Sequence, residues 1–448
     1  MADRINKTPT GKEIFRRLSP QLYAGLRVIW LGFHRYYGDI KKRSLAKQAK
    51  SRHIEFLGIC RQKKQLKVLF IGLHRSAWKT DEVFRAMQAD PAFDPSIFVA
   101  PTLNRDEVWA ENERLEAQIF FQDRAYETHS TTPADGAKAA VEKIAAIKPD
   151  LVFFTNHHTL TFPELYKYIL ENYLTCYVPY SASVSKFDDY QTQYNKDFHN
   201  QVWKIFAPHY SSAKNFKSVQ AISGRNVTIT GYPAFEPLVM SDSVSDPWKS
   251  PRLMRVIWAP HHTIDMPRLP YANFLRHANF MRKLVEDYKG RIQWCFKPHP
   301  LLKPKLMRQP DWGPGRTEEY FKFWESNSNT QMELGGYDWL FRGSDAMIHD
   351  SGSFLAEYLY VDKPVMYLWS SPKVVNYFNE FGLEALGSCE RGDTEDDIRK
   401  FIESILRNED SKKAARSQFL RKFPVMMDGK LPSARIIEEL KSSIWPKS

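Results

Sequence analysis

The residues best suited to chemistry stand where short apolar runs end. Ala346-Met-Ile348 reads as a strand, and the chain then passes through His349 into Asp350-Ser-Gly-Ser353 and a helix that begins at once. Free backbone N–H groups, hydroxyls and the positive end of a helix dipole converge at such a turn, which suits it to an anion. The same residue types also cap helices with no ligand present, so the local pattern alone leaves both roles open. A second run, Gln293 to Phe296, ends in Lys297-Pro-His-Pro300, where two prolines hold the backbone extended and aim His299 outward. A histidine there can exchange protons or, when charged, bond a phosphate, and Lys297, Lys303 and Lys305 add positive charge nearby. The plain alternative is a solvated basic loop with an ordinary surface histidine.

Two histidine pairs follow the same rule. His261 and His262 end the run Arg255 to Ala259, and His157 and His158 follow Asp150 to Thr155. Neighbouring side chains on a loop are expected to diverge, so only one of His261 and His262 is expected to face substrate. Neither has a carboxylate or cysteine at metal-ligand spacing, and no metal or other cofactor is expected. Near the end, Asp428-Gly429 predicts a turn before a helix over Ser433 to Leu440, leaving Lys430 in a loop.

Positioning these residues takes alternating strands and helices. Strands are expected at Lys67 to Gly72, Ser96 to Ala100, Gln118 to Phe121, Asp150 to Thr155, Thr175 to Pro179 and Trp203 to Ala207. Helices over Asp81 to Met87, Ala134 to Ile147 and Pro163 to Tyr173 separate several of them. After the polar, proline-punctuated stretch Ser241 to Pro251 the pattern restarts, with strands at Arg255, Gln293, Ala346 and Val365. Strands alternating with helices indicate parallel sheets. The fold class expected is therefore α/β: residues 66–240 and 252–448 as two Rossmann-like domains facing a cleft, with a basic helical extension over 1–65. Ligands collect outside the carboxyl ends of parallel strands, which puts the histidines in that cleft.

The N-terminal stretch is distinct. Ile14, Phe15, Leu18, Leu22, Leu26, Ile29 and Trp30 recur every three or four residues with arginines between them, and the basic cluster Lys41 to Arg52 follows. That composition suits an amphipathic helix lying on an anionic bilayer, or equally one packed on the body of the protein with a solvated basic face. Over the 448 residues, 64 basic against 52 acidic side chains leave a net charge of +12, which favours a phosphate-rich partner. No nucleic-acid-binding motif accompanies the charge. Four scattered cysteines suggest a reducing compartment, and no apolar stretch is long enough to span a membrane, so a cytoplasmic protein peripheral to the inner membrane face is expected.

Together these segments resemble the CDP-glycerol glycerophosphotransferase family, the teichoic-acid and capsule polymer transferases with a GT-B arrangement. Asp350-Ser-Gly-Ser353, Lys363-Pro-Val-Met-Tyr367, Pro298-His299-Pro300 and the closing Asp428-Gly-Lys430 with Ser433-Ala-Arg-Ile436 carry the likeness, in order, across about Val256 to Leu440. The resemblance implies that His299 and the Asp350 turn contact the donor pyrophosphate. A cleft histidine would then deprotonate an acceptor hydroxyl, which attacks CDP-glycerol in line and expels CMP. His299, His261 and His262 become the catalytic candidates. Lys297, Asp350, Ser351, Gly352, Ser353, Glu357, Lys430, His157 and His158 become the substrate-binding ones. The partners implied are CDP-glycerol or a related activated donor, a polymer or lipid-linked acceptor, and an anionic membrane surface, with no nucleic acid. One departure stands out. The family's Trp-His-Gly-Thr-Pro segment has as its nearest counterpart Tyr177-Val-Pro-Tyr-Ser-Ala182, without histidine. The alternative is a GT-B glycosyltransferase using a nucleotide sugar in capsule or lipopolysaccharide synthesis.

Overall fold

The computed structural model describes residues 20–103, 106–186, 188–240, 248–250, 253–266 and 269–446, and for residues 20–34 the backbone alone. Seven strands form the first sheet: β1 (Leu66–Gly72), β2 (Phe93–Val99), β3 (Thr128–Ser130), β4 (Leu151–Phe154), β5 (Leu174–Tyr177), β6 (Lys204–Ala207) and β7 (Val227–Ile229). They pair in the order β3-β2-β1-β4-β5-β6-β7, every pairing parallel. Six more form the second: β8 (Met254–Ala259), β9 (Ile292–Phe296), β10 (Thr330–Met332), β11 (Ala346–His349), β12 (Val365–Leu368) and β13 (Glu390–Gly392). Their order, β10-β9-β8-β11-β12-β13, is again all parallel. Both sheets therefore reverse direction of winding once, between β1 and β4 and between β8 and β11. Those two switch points open crevices at strand carboxyl ends, and both crevices face the same groove.

Central strands such as Leu151-Val-Phe-Phe154 are buried along their whole length, as helices covering both faces of a parallel sheet require. One expected strand is absent. Gln118 to Phe121 lies inside the helix Glu107–Gln122, because Ala110, Arg114, Ala117 and Phe121 recur at spacings of four and three and bury one helical face. The third strand is Thr128–Ser130 instead.

The last helix, Pro432–Ile444, returns to the first domain, where Ile436, Leu440 and Ile444 share a core with Leu66, Val68 and Phe84. Burying three such side chains stabilises this docking by roughly 1.5–3 kcal/mol each. Residues 427–430 make the turn that aims it: Asp428 and Gly429 both have positive φ, and Met427 and Lys430 exchange backbone hydrogen bonds. Gly231, at φ +87°, accepts the contact because any Cβ there would lie 2.8 Å from Pro432 Cγ.

Residues Pro20–Arg61 form one helix of 42 residues. Ile14, Phe15 and Leu18 of the expected amphipathic pattern fall outside the described residues, as does most of the stretch Ser241 to Pro251. From residue 35 onward the helix lies on the first domain: Ala49, His53 and Cys60 are buried, and Phe56 and Leu57 pack against its core. All four cysteines are free and buried.

Candidate active site

Each chemically suited loop leaves a strand at its carboxyl end. After β8 comes Pro260-His-His262, after β9 Lys297-Pro-His299, and after β11 Asp350-Ser-Gly-Ser353. The tertiary fold gathers His261, His262 and His299 into one cluster. Their ring centroids lie 4.4 Å (261 to 262), 4.1 Å (262 to 299) and 5.3 Å (261 to 299) apart. The expectation that His261 and His262 diverge is thus overturned. Asp350 fixes the first of them, since its Oδ1 accepts the His261 backbone N–H at 2.6 Å. His261 Nδ1 then reaches Thr263 Oγ1 at 3.1 Å.

The third ring also changes the reading of metal chemistry. One ligand atom from each of the three histidines lies within 4.8 Å of the others, a grouping that could enclose an ion. The tautomer of His299 points elsewhere. Its Nδ1 accepts the Leu301 backbone N–H at 3.1 Å, so the neutral ring carries its proton on Nε2. A protonated Nε2 offers a donor to an anion rather than a lone pair to a cation.

Burial, reinforced by His262, Lys305, Lys297 and His74, holds the His299 pKa down to about 3. Any anion bound beside His299 would reverse the electrostatic part of that shift, because negative charge beside an imidazole favours its protonated form. Lys297 is 5 % exposed and is lowered by burial to about 8, with its Nζ donating to the Gly335 carbonyl at 2.9 Å. It braces the loop after β10 instead of lying open in the groove. Lys303 and Lys305 pair with Glu318 and Asp265.

The Asp350 turn is built mostly for architecture. Both carboxylate oxygens accept backbone N–H groups, from His261 and from Asn273, and the residue is 1 % exposed. Burial raises its pKa to about 7, against the pull of those donors. Ser351 caps the short helix Gly352–Glu357, and Ser353 is exposed at its start. Glu357 is fully buried, accepts a hydrogen bond from Tyr337 Oη, and pairs with Lys79 of the first domain at 3.8 Å. Lys430 is exposed and paired with Glu438 at 2.7 Å, while Arg435 bonds Asp428 and the Ile229 carbonyl. The closing motif therefore anchors the returning helix to β7.

The first domain supplies groups that its sequence did not single out. His74, Arg75 and Lys79 follow β1, and a Cβ on Gly335 would lie 2.8 Å from Arg75 Nη2, so the guanidinium already touches the second domain. Their position just after the strand at the switch point is the signal that could have found them. Beyond β4, the rings of His157 and His158 lie 4.0 Å apart, tilted by 40°. His157 is 7 % exposed with Nδ1 against Tyr177 Oη at 2.7 Å, whereas His158 is half-buried with Lys196 Nζ 3.1 Å from its Nδ1. Burial and then Lys196 lower His158 to about 4, so its ring is neutral near pH 7.

Both histidines line an open pocket with Tyr180, Ser181, Ser183, Ser185 and Gln193. Tyr177 to Ala182, where the family histidine is missing, thus forms part of this wall. The segment beyond it crosses to the second domain: Lys186 N donates to the Tyr377 carbonyl, and Asn379 N to the Val184 carbonyl. Ser185 Oγ lies 3.2 Å from Tyr271 Oη, and a Cβ on Gly352 would meet Tyr271 at 3.3 Å and Ser185 Oγ at 3.9 Å. Tyr271 in turn stands 5.7 Å from His261, ring to ring. The pocket, the Gly352 turn and the histidine cluster are consecutive parts of one groove.

Comparison with known proteins fits this arrangement. Among solved structures, a putative UDP-N-acetylglucosamine 2-epimerase from Listeria monocytogenes superposes with a TM-score of 0.57 at 15% identity, covering 86% of this chain and 98% of its own. The S. aureus MnaA structure with UDP scores 0.56 at 16% identity, covering 86% and 98%. A histidine-to-asparagine variant of the wall teichoic acid polymerase TagF scores 0.56 at 13% identity, covering 92% and 97%. At these identities the likeness establishes the two-domain fold. No curated protein matches the chain by sequence. Residues 181–441, more than half of the chain and the whole histidine-cluster wall, match the family described as CDP-glycerol:poly(glycerophosphate) glycerophosphotransferase, and the chain belongs to that family.

Proposed function

We propose that the chain transfers glycerol phosphate from CDP-glycerol to a hydroxyl of a polymer or lipid-linked acceptor at an anionic membrane surface, releasing CMP. The observation that carries this reading is that the family-matched stretch contains the whole cluster His261, His262 and His299, with a proton-bearing Nε2 on His299. The donor pyrophosphate lies against that Nε2 and gains from groups fixed before it arrives. The acceptor oxygen bonds to the glycerol-bearing phosphorus as that phosphorus loses its bridging oxygen, and CMP departs with the bonding pair. The hydroxyl proton passes to a neutral histidine of the groove, which takes the place of the missing family histidine.

A membrane location is supported by the outer face of the long helix. Tyr36, Ile40, Lys47, Lys50 and Ile54 are exposed along one stripe that mixes apolar and basic side chains, while Arg43 on the same stripe turns its Nε to the Ala221 carbonyl. The same helix touches the acceptor side, with Lys41 paired to Asp197 and Asp39 accepting from Asn195. No helix among the described residues is long and apolar enough to cross a membrane. The direct test measures CMP release by mass spectrometry from CDP-glycerol beside CDP-ribitol and several nucleotide sugars. Release from CDP-glycerol in excess over the others is expected, and preferential cleavage of a nucleotide sugar would sink the reading.

A further inference from the structure

The pocket beside β4 and β5 differs in chemistry from the polymer that names the family. A poly(glycerol phosphate) chain carries one negative charge per unit, and a site that grips it needs Lys or Arg facing the phosphates. Among the described residues the lining, which includes His157, His158, Tyr180, Ser185 and Gln193, holds no lysine, arginine or carboxylate. The nearest amine, that of Lys196, is outside the lining and is engaged with His158 Nδ1 at 3.1 Å. What the lining offers instead is aromatic rings beside short hydroxyls and an amide. Tyr180 lies 5.9 Å from His157 and 6.1 Å from His158, so its ring closes one side. Serine hydroxyls both donate and accept, which is what vicinal hydroxyls of a polyol ring require. An aromatic face suits the apolar C–H face of the same ring. At Ser185 the pocket borders the donor side, since Ser185 Oγ meets Tyr271 Oη and lies beside the Gly352 turn.

We infer that this pocket binds an uncharged sugar residue, so that the acceptor hydroxyl belongs to a glycosyl terminus and not to a glycerol phosphate unit. The inference rests on the glycerophosphotransferase reading for the identity of the donor, but not for what the pocket holds. Tyr180 is the stacking platform, and Gln193, whose Nε2 donates to the Ser185 carbonyl at 3.1 Å, holds the serine segment beside it. The site where the family pattern has histidine has become, in this chain, part of the surface that selects the acceptor.

Acceptor binding can be measured without any donor. The full chain is titrated by calorimetry and by ligand-observed NMR with methyl glycosides of hexoses and N-acetylhexosamines, disaccharides of the same sugars, and a synthetic tri(glycerol phosphate). Saturable binding of at least one sugar probe is expected, with tri(glycerol phosphate) at least about tenfold weaker at physiological salt. Tyr180→Ala weakens that sugar about tenfold, while Tyr180→Phe, which keeps the ring, stays within about twofold of wild type. Gln193→Ala, on a different element, provides a second loss should Tyr180→Ala fold poorly. Tighter binding of tri(glycerol phosphate), no sugar binding, or sugar binding indifferent to both Tyr180→Ala and Gln193→Ala overturns the inference. CMP release from CDP-glycerol is scored separately, so failure of the donor reading is told apart from failure of the pocket assignment.

Discussion

The two walls of the groove solve opposite problems. The second-domain wall gathers His261, His262 and His299, with Lys297 and Lys305 close enough to act on His299, and so concentrates N–H donors and positive charge. The first-domain wall offers rings, hydroxyls and neutral imidazoles around an open pocket. Both walls stand on sheets of the same strand order, and both use the loops leaving the switch-point strands. The backbone plan therefore fixes where ligands can lie, while the side chains on each switch-point loop decide whether that place suits a charged group or a neutral one.

Removing the donor wall's central group should break the comparison most severely. His299→Ala is expected to lower the rate of CMP release by about 10³-fold with circular dichroism unchanged, the usual range for a positioned proton donor or oxyanion partner. Near-normal turnover would remove His299 from the chemistry. Next comes the charge that fastens the walls together. Lys79→Ala leaves Glu357 and Tyr337 buried without their cation, and a loss of about 3 kcal/mol in denaturant unfolding is expected. Adding Glu357→Gln in the same chain should recover part of it, and strict additivity would show that the pair is not coupled.

The acceptor wall is sharpened by the helix beside it. Lys47→Ala with Lys50→Ala should weaken binding to phosphatidylserine vesicles by roughly tenfold or more, at about 1 kcal/mol per basic residue, and leave binding to neutral vesicles unchanged. Equal binding by the variant would separate the helix from any lipid contact.

Acid should weaken both walls together. Burial lowers His158 and His209 to about 4, and His299 and His349 to about 3, well below the 6.5 of an unfolded histidine. Between those values the unfolded chain binds more protons, so stability is full above pH 6.5 and falls as pH drops toward 4. Each fully buried histidine adds a slope of up to about 1.4 kcal/mol per pH unit in that window. Thermal melts from pH 7.5 to 4.5 test this, and a flat profile would contradict it. The smallest effect belongs to Lys430, whose amine is tied to Glu438 on the surface. Lys430→Ala should change transfer less than about twofold, as exposed pairs contribute under 1 kcal/mol, and a large loss in kcat would return it to the donor site.

Much of the fold was legible because parallel strands buried on both faces are short unbroken apolar runs, and Lys67 to Gly72 or Ala346 to Ile348 can be little else. Gln118 to Phe121 misleads for the same reason: a β-favouring tetrapeptide sits at the end of a helix whose period shows only over Ala110 to Phe121. His299 was legible from its flanking prolines, and the Asp428-Gly429 turn from its residue types. The chemistry of Tyr180, Ser185 and Gln193 was not, since common residues on a loop carry no pattern until a pocket brings them together.

By itself the sequence determined the two α/β halves, the turns at their strand ends and the kinship with glycerophosphotransferases, because those depend on local periodicity and short ordered motifs. Only the tertiary structure decided which side chains act together. It joined His261 and His262 to His299, turned Asp350 inward onto two backbone amides, tied Lys430 to the surface, carried Pro432–Ile444 back to the first core, and set Lys79 against Glu357 across the groove. The physical reason is distance along the chain: these partners are separated by tens to hundreds of residues, and burial, hydrogen bonding and charge act on proximity in space.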